Sequence, residues 1–358
     1  MRIEHGGNVW WTARESGRNV RAIVDFSSNV NPLGPPTRAI KAIEENLWRL
    51  PLYPDPEYTS LREKIAKVHG LKKENVVVGH GAAELIHTFC RSFVKKGDKV
   101  LIPAPTFGEY EVAAKRAEAR IRYVNTGLKP EIESLMDEAS QGAKFVFLCN
   151  PNNPTSTLIT KKDVLRLLDM ALSHRFFVFL DETYLEFSQE TCEESLDRFV
   201  QAYPNLFIVR SLTKIFGLAG LRIGYGLGHV DTIETLMSLS TPWCVNCLAE
   251  VATLAALDDH LFIKRTRRFI DKEKLFLYEE FGRIEKLKAY SPKVNFLLIN
   301  VKGTGMGGLE IKERLLKKSL LIRECTSFKG LGDGFIRVSI RKREENERLL
   351  KSLKEVIS

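Results

Sequence analysis

The sequence predicts an α/β protein, with a large domain around a mostly parallel sheet and a smaller α+β domain behind it. Three observations predict this. The chain has 358 residues, more than the ~250–300 at which a single hydrophobic core stops growing, so two domains are expected. Between residues 76 and 209, short apolar runs alternate with amphipathic helical patterns, as in a parallel sheet layered with helices. After about residue 255 the order of elements changes to an α+β pattern.

Runs rich in Val, Ile, Leu and Phe at 76–78, 100–102, 145–148, 176–180 and 206–209 read as buried strands. Helical spacing at 84–93, 110–118 and 162–173 lies between them. The tail reads as a long charged helix over 249–284, a strand at 295–299 and a helix near 310–318. Strands at 320–323 and 335–341 and a terminal helix come after these. The first 45 or so residues have no sheet pattern and are expected to pack on the tail. The expected domains are residues 1–46 as an N-terminal arm and part of the small domain, 47–254 as the large domain, and 255–358 as the small domain.

Composition narrows the function classes. Fifty-four Lys and Arg against 45 Asp and Glu leave a net charge of +9. The basic stretch Lys264-Arg265-Thr266-Arg267-Arg268 is interleaved downstream with acids and apolar residues at helical spacing. It reads as an exposed helix face, not a nucleic-acid site. The excess charge leaves anionic small molecules as ligands. No apolar run approaches the ~20 residues of a membrane span, and Met1-Arg2-Ile3-Glu4-His5 is not an apolar leader. Six Cys in 358 residues are too sparse for a disulfide scaffold, so a reducing, cytoplasmic setting is expected. Cys244 and Cys247 have CxxC spacing without a second pair and read as ordinary thiols.

Several strand ends carry reactive groups. In Ser211-Leu212-Thr213-Lys214 a lysine comes just after a buried strand. Partial desolvation there lowers an amine's pKa and frees it for Schiff-base chemistry. Ser211 and Thr213 add hydroxyls, and Arg222 a planar fork suited to phosphate. Asp181 ends an apolar strand, where a carboxylate is either a helix cap or the partner of a buried cation such as a pyridinium. Asn153 lies in an Asn/Pro turn after another strand, as turn chemistry or as an amide donor. Gly81-Ala82-Ala83 is a strand-to-helix turn whose free amides can hold an anion.

In that order along one chain, these groups resemble the fold-type I, pyridoxal-phosphate-dependent aminotransferase superfamily, over essentially the whole length. The chain looks like the branch holding histidinol-phosphate aminotransferases and the threonine-phosphate decarboxylases of cobalamin biosynthesis. The second is the better match, through His5-Gly6-Gly7-Asn8, Asp25-Phe26-Ser27-Ser28-Asn29-Val30-Asn31-Pro32-Leu33-Gly34 and Tyr53-Pro54-Asp55. Leu321-Ile322-Arg323 and Arg337-Val338 add to it.

The resemblance implies pyridoxal 5′-phosphate as cofactor, with Lys214 as the catalytic amine and Asp181 on the pyridine nitrogen. Asn153 and Tyr184 would bond its phenolic oxygen and Phe107 would stack on its ring. Ser211, Thr213, Arg222 and the amides of Ala82 and Ala83 would hold its phosphate. Tyr53 would reach that phosphate from a second subunit, making a homodimer with shared active sites. Arg337 would grip a substrate carboxylate, and His5, Asn29 and Arg323 a substrate phosphate, with Gly6 and Asn153 completing the substrate site. The implied reaction is decarboxylation of O-phospho-L-threonine to (R)-1-aminopropan-2-yl phosphate, with histidinol-phosphate amino transfer as the alternative. Two departures stand out. The turn usually written Asn-Pro-Thr-Gly ends in Ser156, so it is expected to rearrange slightly, and Ala82-Ala83 has no hydroxyl side chain.

Overall fold

The structure is a computed structural model that describes residues 6–128 and 131–358. Among these residues the strands, in chain order, are β1 (Val24–Asp25), β2 (Val76–Gly79), β3 (Lys99–Ala104), β4 (Arg120–Asn125), β5 (Phe145–Cys149), β6 (Phe177–Asp181), β7 (Leu206–Ser211), β8 (Gly224–Gly228), β9 (Lys288–Ala289), β10 (Phe296–Asn300), β11 (Leu320–Leu321), β12 (Arg323–Glu324) and β13 (Phe335–Ser339).

Seven of them form the central sheet, in the order β2-β8-β7-β6-β5-β3-β4. β8 runs antiparallel to both neighbours, and the pairs from β7 to β4 are parallel. The expected mostly parallel sheet is what the chain forms. Its strands are apolar throughout because both faces are covered. Phe145, Phe147 and Cys149 of β5 face one side, Val146 and Leu148 the other. On the first side the helix Ala82–Phe93 docks through Phe89, stacked on Phe207 at 5.5 Å and edge-on to Phe179 at 5.0 Å. On the second side lie the helices Lys161–His174 and Cys247–Leu257.

A four-stranded antiparallel sheet, β12-β13-β10-β9, forms the smaller layer. The N-terminal segment joins this side of the molecule through β1, which pairs in parallel with β11.

Two expected elements are divided. The helix expected over 249–284 is two helices, Cys247–Leu257 and His260–Gly282. Asp259 separates them because its carboxylate accepts a hydrogen bond from the Phe262 amide at 3.0 Å, a cap that starts a new helix. The strand expected at 320–323 is split into β11 and β12, since Leu320 and Leu321 pair with β1 while Arg323 and Glu324 pair with β13.

The parallel strands end together at one edge of the sheet, where Cys149 stands beside Asp181 and Asp181 beside Val209. Ligands in such sheets bind beyond the carboxyl ends of the strands. Phe89 holds the helix that begins at this edge. We expect Phe89→Ala to lower the unfolding free energy by about 3–5 kcal/mol, read from denaturant unfolding at unchanged slope. A loss below about 1 kcal/mol would mean that the helix is anchored elsewhere.

Candidate active site

A cavity of about 440 Å³ opens at that edge, between the start of the helix Ala82–Phe93 and β13. Lys214 lines it, half-buried, on the short helix Leu212–Ile215 directly after β7. Burial lowers its amine to about 8, and the positive charges of Arg222 and Arg337 add to the effect, opposed by Asp25.

Asp181, at the end of β6, accepts a hydrogen bond from the Tyr110 hydroxyl at 2.7 Å and one from the Thr183 amide at 2.9 Å. Neither partner is a cation. Burial raises its carboxyl despite both bonds. Asn153 and Tyr184 line the same cavity. Asn153 Oδ1 accepts from Arg337 Nη1, and the Tyr184 hydroxyl accepts from Asn29 Nδ2 at 3.2 Å. Burial pushes the Tyr184 phenol up to about 12, although the Arg337 charge acts against it. Phe107 lies at the wall, edge-on to Tyr110.

An anion cradle lies on the same side. Ala82 and Ala83 open a twelve-residue helix whose start has no side-chain cap, so its first amides are free to receive a ligand. Ser211 Oγ and Thr213 Oγ1 are 2.6 Å apart. Arg222 donates to the Ala219 carbonyl at 3.1 Å and packs on Gly81. Gly81 has φ +80°, and a Cβ there would come within 2.7 Å of Arg222 Nη2, so glycine is required for the fork to approach the helix start.

Of the residues expected to touch substrate, Gly6, Asn29, Asn153 and Arg337 line the cavity. His5 lies outside the described residues. Gly6 packs on the Ser27 carbonyl and the Arg337 guanidinium, with no room for a side chain. Arg337 is buried, donates to Asn153 Oδ1 and to the Ser27 carbonyl, and has no partner at Nε. Asn29 Oδ1 is also buried without a partner. Arg323 stands opposite Arg337 across the β12–β13 pair but does not line the cavity. It bonds Glu324 at 2.9 Å and Ser327 and lies over the Phe328 ring. Tyr53 is also outside, 81% exposed, with its ring 4.7 Å from Trp243.

The sequence alone assigns no role to Ser27, Ser28, Thr183 or Tyr110. Asp25 holds the first two at the wall, accepting from Ser27 N, Ser27 Oγ and Ser28 Oγ. The Asp25–Asn31 run stands out as a motif, but nothing local marks its serines as lining residues. Tyr110 looks like any core aromatic until Asp181 is beside it. Ser156 keeps a left-handed backbone, φ +59°, the conformation a glycine would take.

The donor set fits a small phosphorylated ring. The cradle suits a phosphate, Asp181 lacks a cation, and Lys214 supplies an amine of lowered pKa. Residues 21–353 match the family model for aminotransferase class I and II. A histidinol-phosphate aminotransferase of Methanothermobacter thermautotrophicus is 36% identical over 94% of this chain and 89% of that one. A Caldanaerobacter subterraneus subsp. tengcongensis protein, provisionally named threonine-phosphate decarboxylase, is 37% identical over 98% and 93%. The crystal structure of the histidinol-phosphate aminotransferase from Clostridium acetobutylicum has a TM-score of 0.85 at 32% identity, covering 93% of this chain and 98% of that one.

The Lys214 amine has a folded value of about 8 against an ordinary 10.5. Protonation therefore opposes folding below about 8, and that penalty vanishes as the pH climbs to about 10.5. In ligand-free protein we expect Lys214→Met to exceed the unmodified chain in stability at pH 7 and to lose the advantage by about pH 10.5. Denaturant midpoints across that range read it. A constant difference would mean an ordinary amine.

Proposed function

The chain belongs to the aminotransferase class I and II family, whose cofactor is pyridoxal 5′-phosphate, and we propose that within it this protein decarboxylates O-phospho-L-threonine to (R)-1-aminopropan-2-yl phosphate. One observation carries the choice of reaction. Gly6 lies at the cavity wall against Ser27 and Arg337, and it belongs to the Gly6-Gly7-Asn8 part of the sequence feature that separates the decarboxylase match from its relatives. The 37% identity to the Caldanaerobacter protein supports the same reading.

When bound, pyridoxal phosphate supplies a conjugated sink for the electrons of the bond that breaks at the substrate's α-carbon. Asp181 holds a proton at the ring nitrogen, a task suited to a buried carboxylate without a cation of its own. Lys214 would hold the cofactor through its amine, and that amine would return a proton to the substrate's α-carbon. Asn153 uses its amide nitrogen on the phenolic oxygen, because its Oδ1 is taken by Arg337, and the Tyr184 hydroxyl joins it. Ser211, Thr213, Arg222 and the amides of Ala82 and Ala83 bind the cofactor phosphate, and Phe107 covers the ring.

Orientation selects the reaction, since the bond standing perpendicular to the ring is the one that breaks. Arg337, with its free Nε, takes the substrate carboxylate and sets that angle. Gly6 and Asn29, which line the cavity, would receive the substrate phosphate together with His5, and Arg323, outside the lining, would add only its charge. The carboxylate leaves as carbon dioxide and a proton takes its place. Tyr53, with its ring on the exposed Trp243, follows Trp48, Leu50 and Leu52 in a chain segment whose large apolar side chains are exposed. That apolar strip suits a homodimer in which Tyr53 serves the neighbouring subunit's cofactor phosphate.

Amino transfer from histidinol phosphate is the second reading, favoured by the 36% identity to the Methanothermobacter enzyme. The two separate cleanly in one assay. Cofactor-loaded protein with O-phospho-L-threonine and no keto acid is expected to release carbon dioxide together with the amino-propanol phosphate. Lys214→Ala is expected to abolish both turnover and the absorbance band that depends on the bond between Lys214 and the cofactor. Silence in that assay, with amino transfer from histidinol phosphate to 2-oxoglutarate, would overturn the decarboxylase reading.

A further inference from the structure

Ser156 occupies a backbone conformation, φ +59°, that glycine adopts freely and an L side chain only under strain. It is fully buried. A strained, buried hydroxyl calls for a compensating interaction, and the structure supplies two. Ser156 Oγ accepts hydrogen bonds from the backbone amides of Lys293 at 3.0 Å and Val294 at 3.1 Å. The Lys293 amide also lies 3.1 Å from the Ser156 carbonyl oxygen. Val294 is itself fully buried, so without the hydroxyl its amide would lose its acceptor in a dry place.

These bonds join two elements that matter to the cavity. On one side, Ser156 belongs to a closed turn. Its amide bonds the Asn152 carbonyl, and the Asn152 amide bonds the Thr157 carbonyl, both at 2.8 Å. Asn153 is in that turn. On the other side, Lys293 and Val294 lead into β10, which pairs with β13 and places Leu298 opposite Arg337. The next residue continues the contact, since Asn295 Nδ2 donates to the Asn29 carbonyl at 3.0 Å. The Arg337–Asn153 bond is thus one of two ties between the same turn and the same small sheet, and Ser156 makes the other.

We infer that Ser156 is a positioning residue whose hydroxyl clasps the start of β10 to the Asn153 turn and so sets where Arg337 stands over the cavity. Ser156 does not line the cavity, so it acts through Arg337 and Asn153. The chain accepts backbone strain in the turn and gains a fixed seat for the small sheet. The effect on substrate rests on the reading of Arg337 as the carboxylate-binding group, whereas the clasp itself does not depend on which reaction is catalysed.

The test uses Ser156→Gly and Ser156→Ala in the cofactor-loaded protein. Glycine suits the turn, so Ser156→Gly keeps the backbone and removes only the acceptor. Amide hydrogen exchange at Val294 is expected to accelerate by about three- to tenfold in both variants, the size of one lost hydrogen bond, while the Lys293 amide keeps the Ser156 carbonyl as acceptor. KM for O-phospho-L-threonine is expected to rise by a similar factor of about three to ten while kcat changes less than about twofold, the mark of altered seating and not of altered chemistry. Ser156→Ala keeps the strain as well and should also unfold at lower denaturant. Unchanged exchange in Ser156→Gly would overturn the clasp. Faster exchange with unchanged KM would reduce Ser156 to a structural residue and overturn its positioning role. If the unmodified enzyme does not act on O-phospho-L-threonine, the proposed reaction fails, and the exchange measurement still decides the clasp.

Discussion

A fully buried ion pair, Glu182 with Arg210, ties the ends of β6 and β7 together, and the cavity hangs from those two strand ends. Arg210 Nη2 lies 2.7 Å and Nε 3.0 Å from Glu182 Oε2. Glu182 comes directly after Asp181, and Arg210 directly before Ser211. Side chains alternate across a strand, so the pair works on one face of the sheet while Asp181 and Ser211 work on the other. Burying two charges costs several kcal/mol per ion unless other bonds compensate. Here the Leu196 amide bonds Glu182 Oε1 at 3.0 Å, and Ser195 bonds Arg210. The network continues to Asp197, which burial alone would raise but the His69 bond and the Arg210 charge bring down to about 2. His69 then reaches the Tyr225 hydroxyl at 2.9 Å. The floor of the site is therefore a cross-linked layer of charges that cannot shift without unpairing one of them.

Above that floor the balance reverses. The described lining holds Lys214, Arg222 and Arg337 against Asp181 and Glu109, an excess of positive charge in a partly dehydrated space. Such a cavity favours ligands that bring anions with them. A phosphorylated cofactor supplies one, and a substrate with a carboxylate and a phosphate supplies two more. The net charge of +9, which by composition alone admits a basic surface or an anionic ligand, finds part of its meaning here. Arg337, buried with an unpartnered Nε, is the cation in greatest need of such a ligand.

The reactive groups were legible in the sequence because each stands where a buried strand ends. The apolar run before Asp181 and the run before Ser211 and Lys214 announce themselves by composition, and the residues just after each run have to lie at the sheet's carboxyl edge. The same logic made the mostly parallel sheet readable. It failed where local pattern carries two meanings. Residues 249–284 keep a helical period across Asp259, yet its carboxylate caps a second helix. Residues 320–323 look like one strand but serve two different neighbours.

The sequence by itself determined which groups are present and the strand ends that carry them, because chain neighbours alone decide those. Only the tertiary structure decided what they touch. It put Tyr110 on Asp181, Gly6 against Arg337 and the Ser156 hydroxyl under Lys293 and Val294. It put Arg323 beside the cavity wall but not on it. These contacts join residues far apart along the chain, and no periodicity encodes them. They arise because packed layers leave each buried polar atom few places to find a partner.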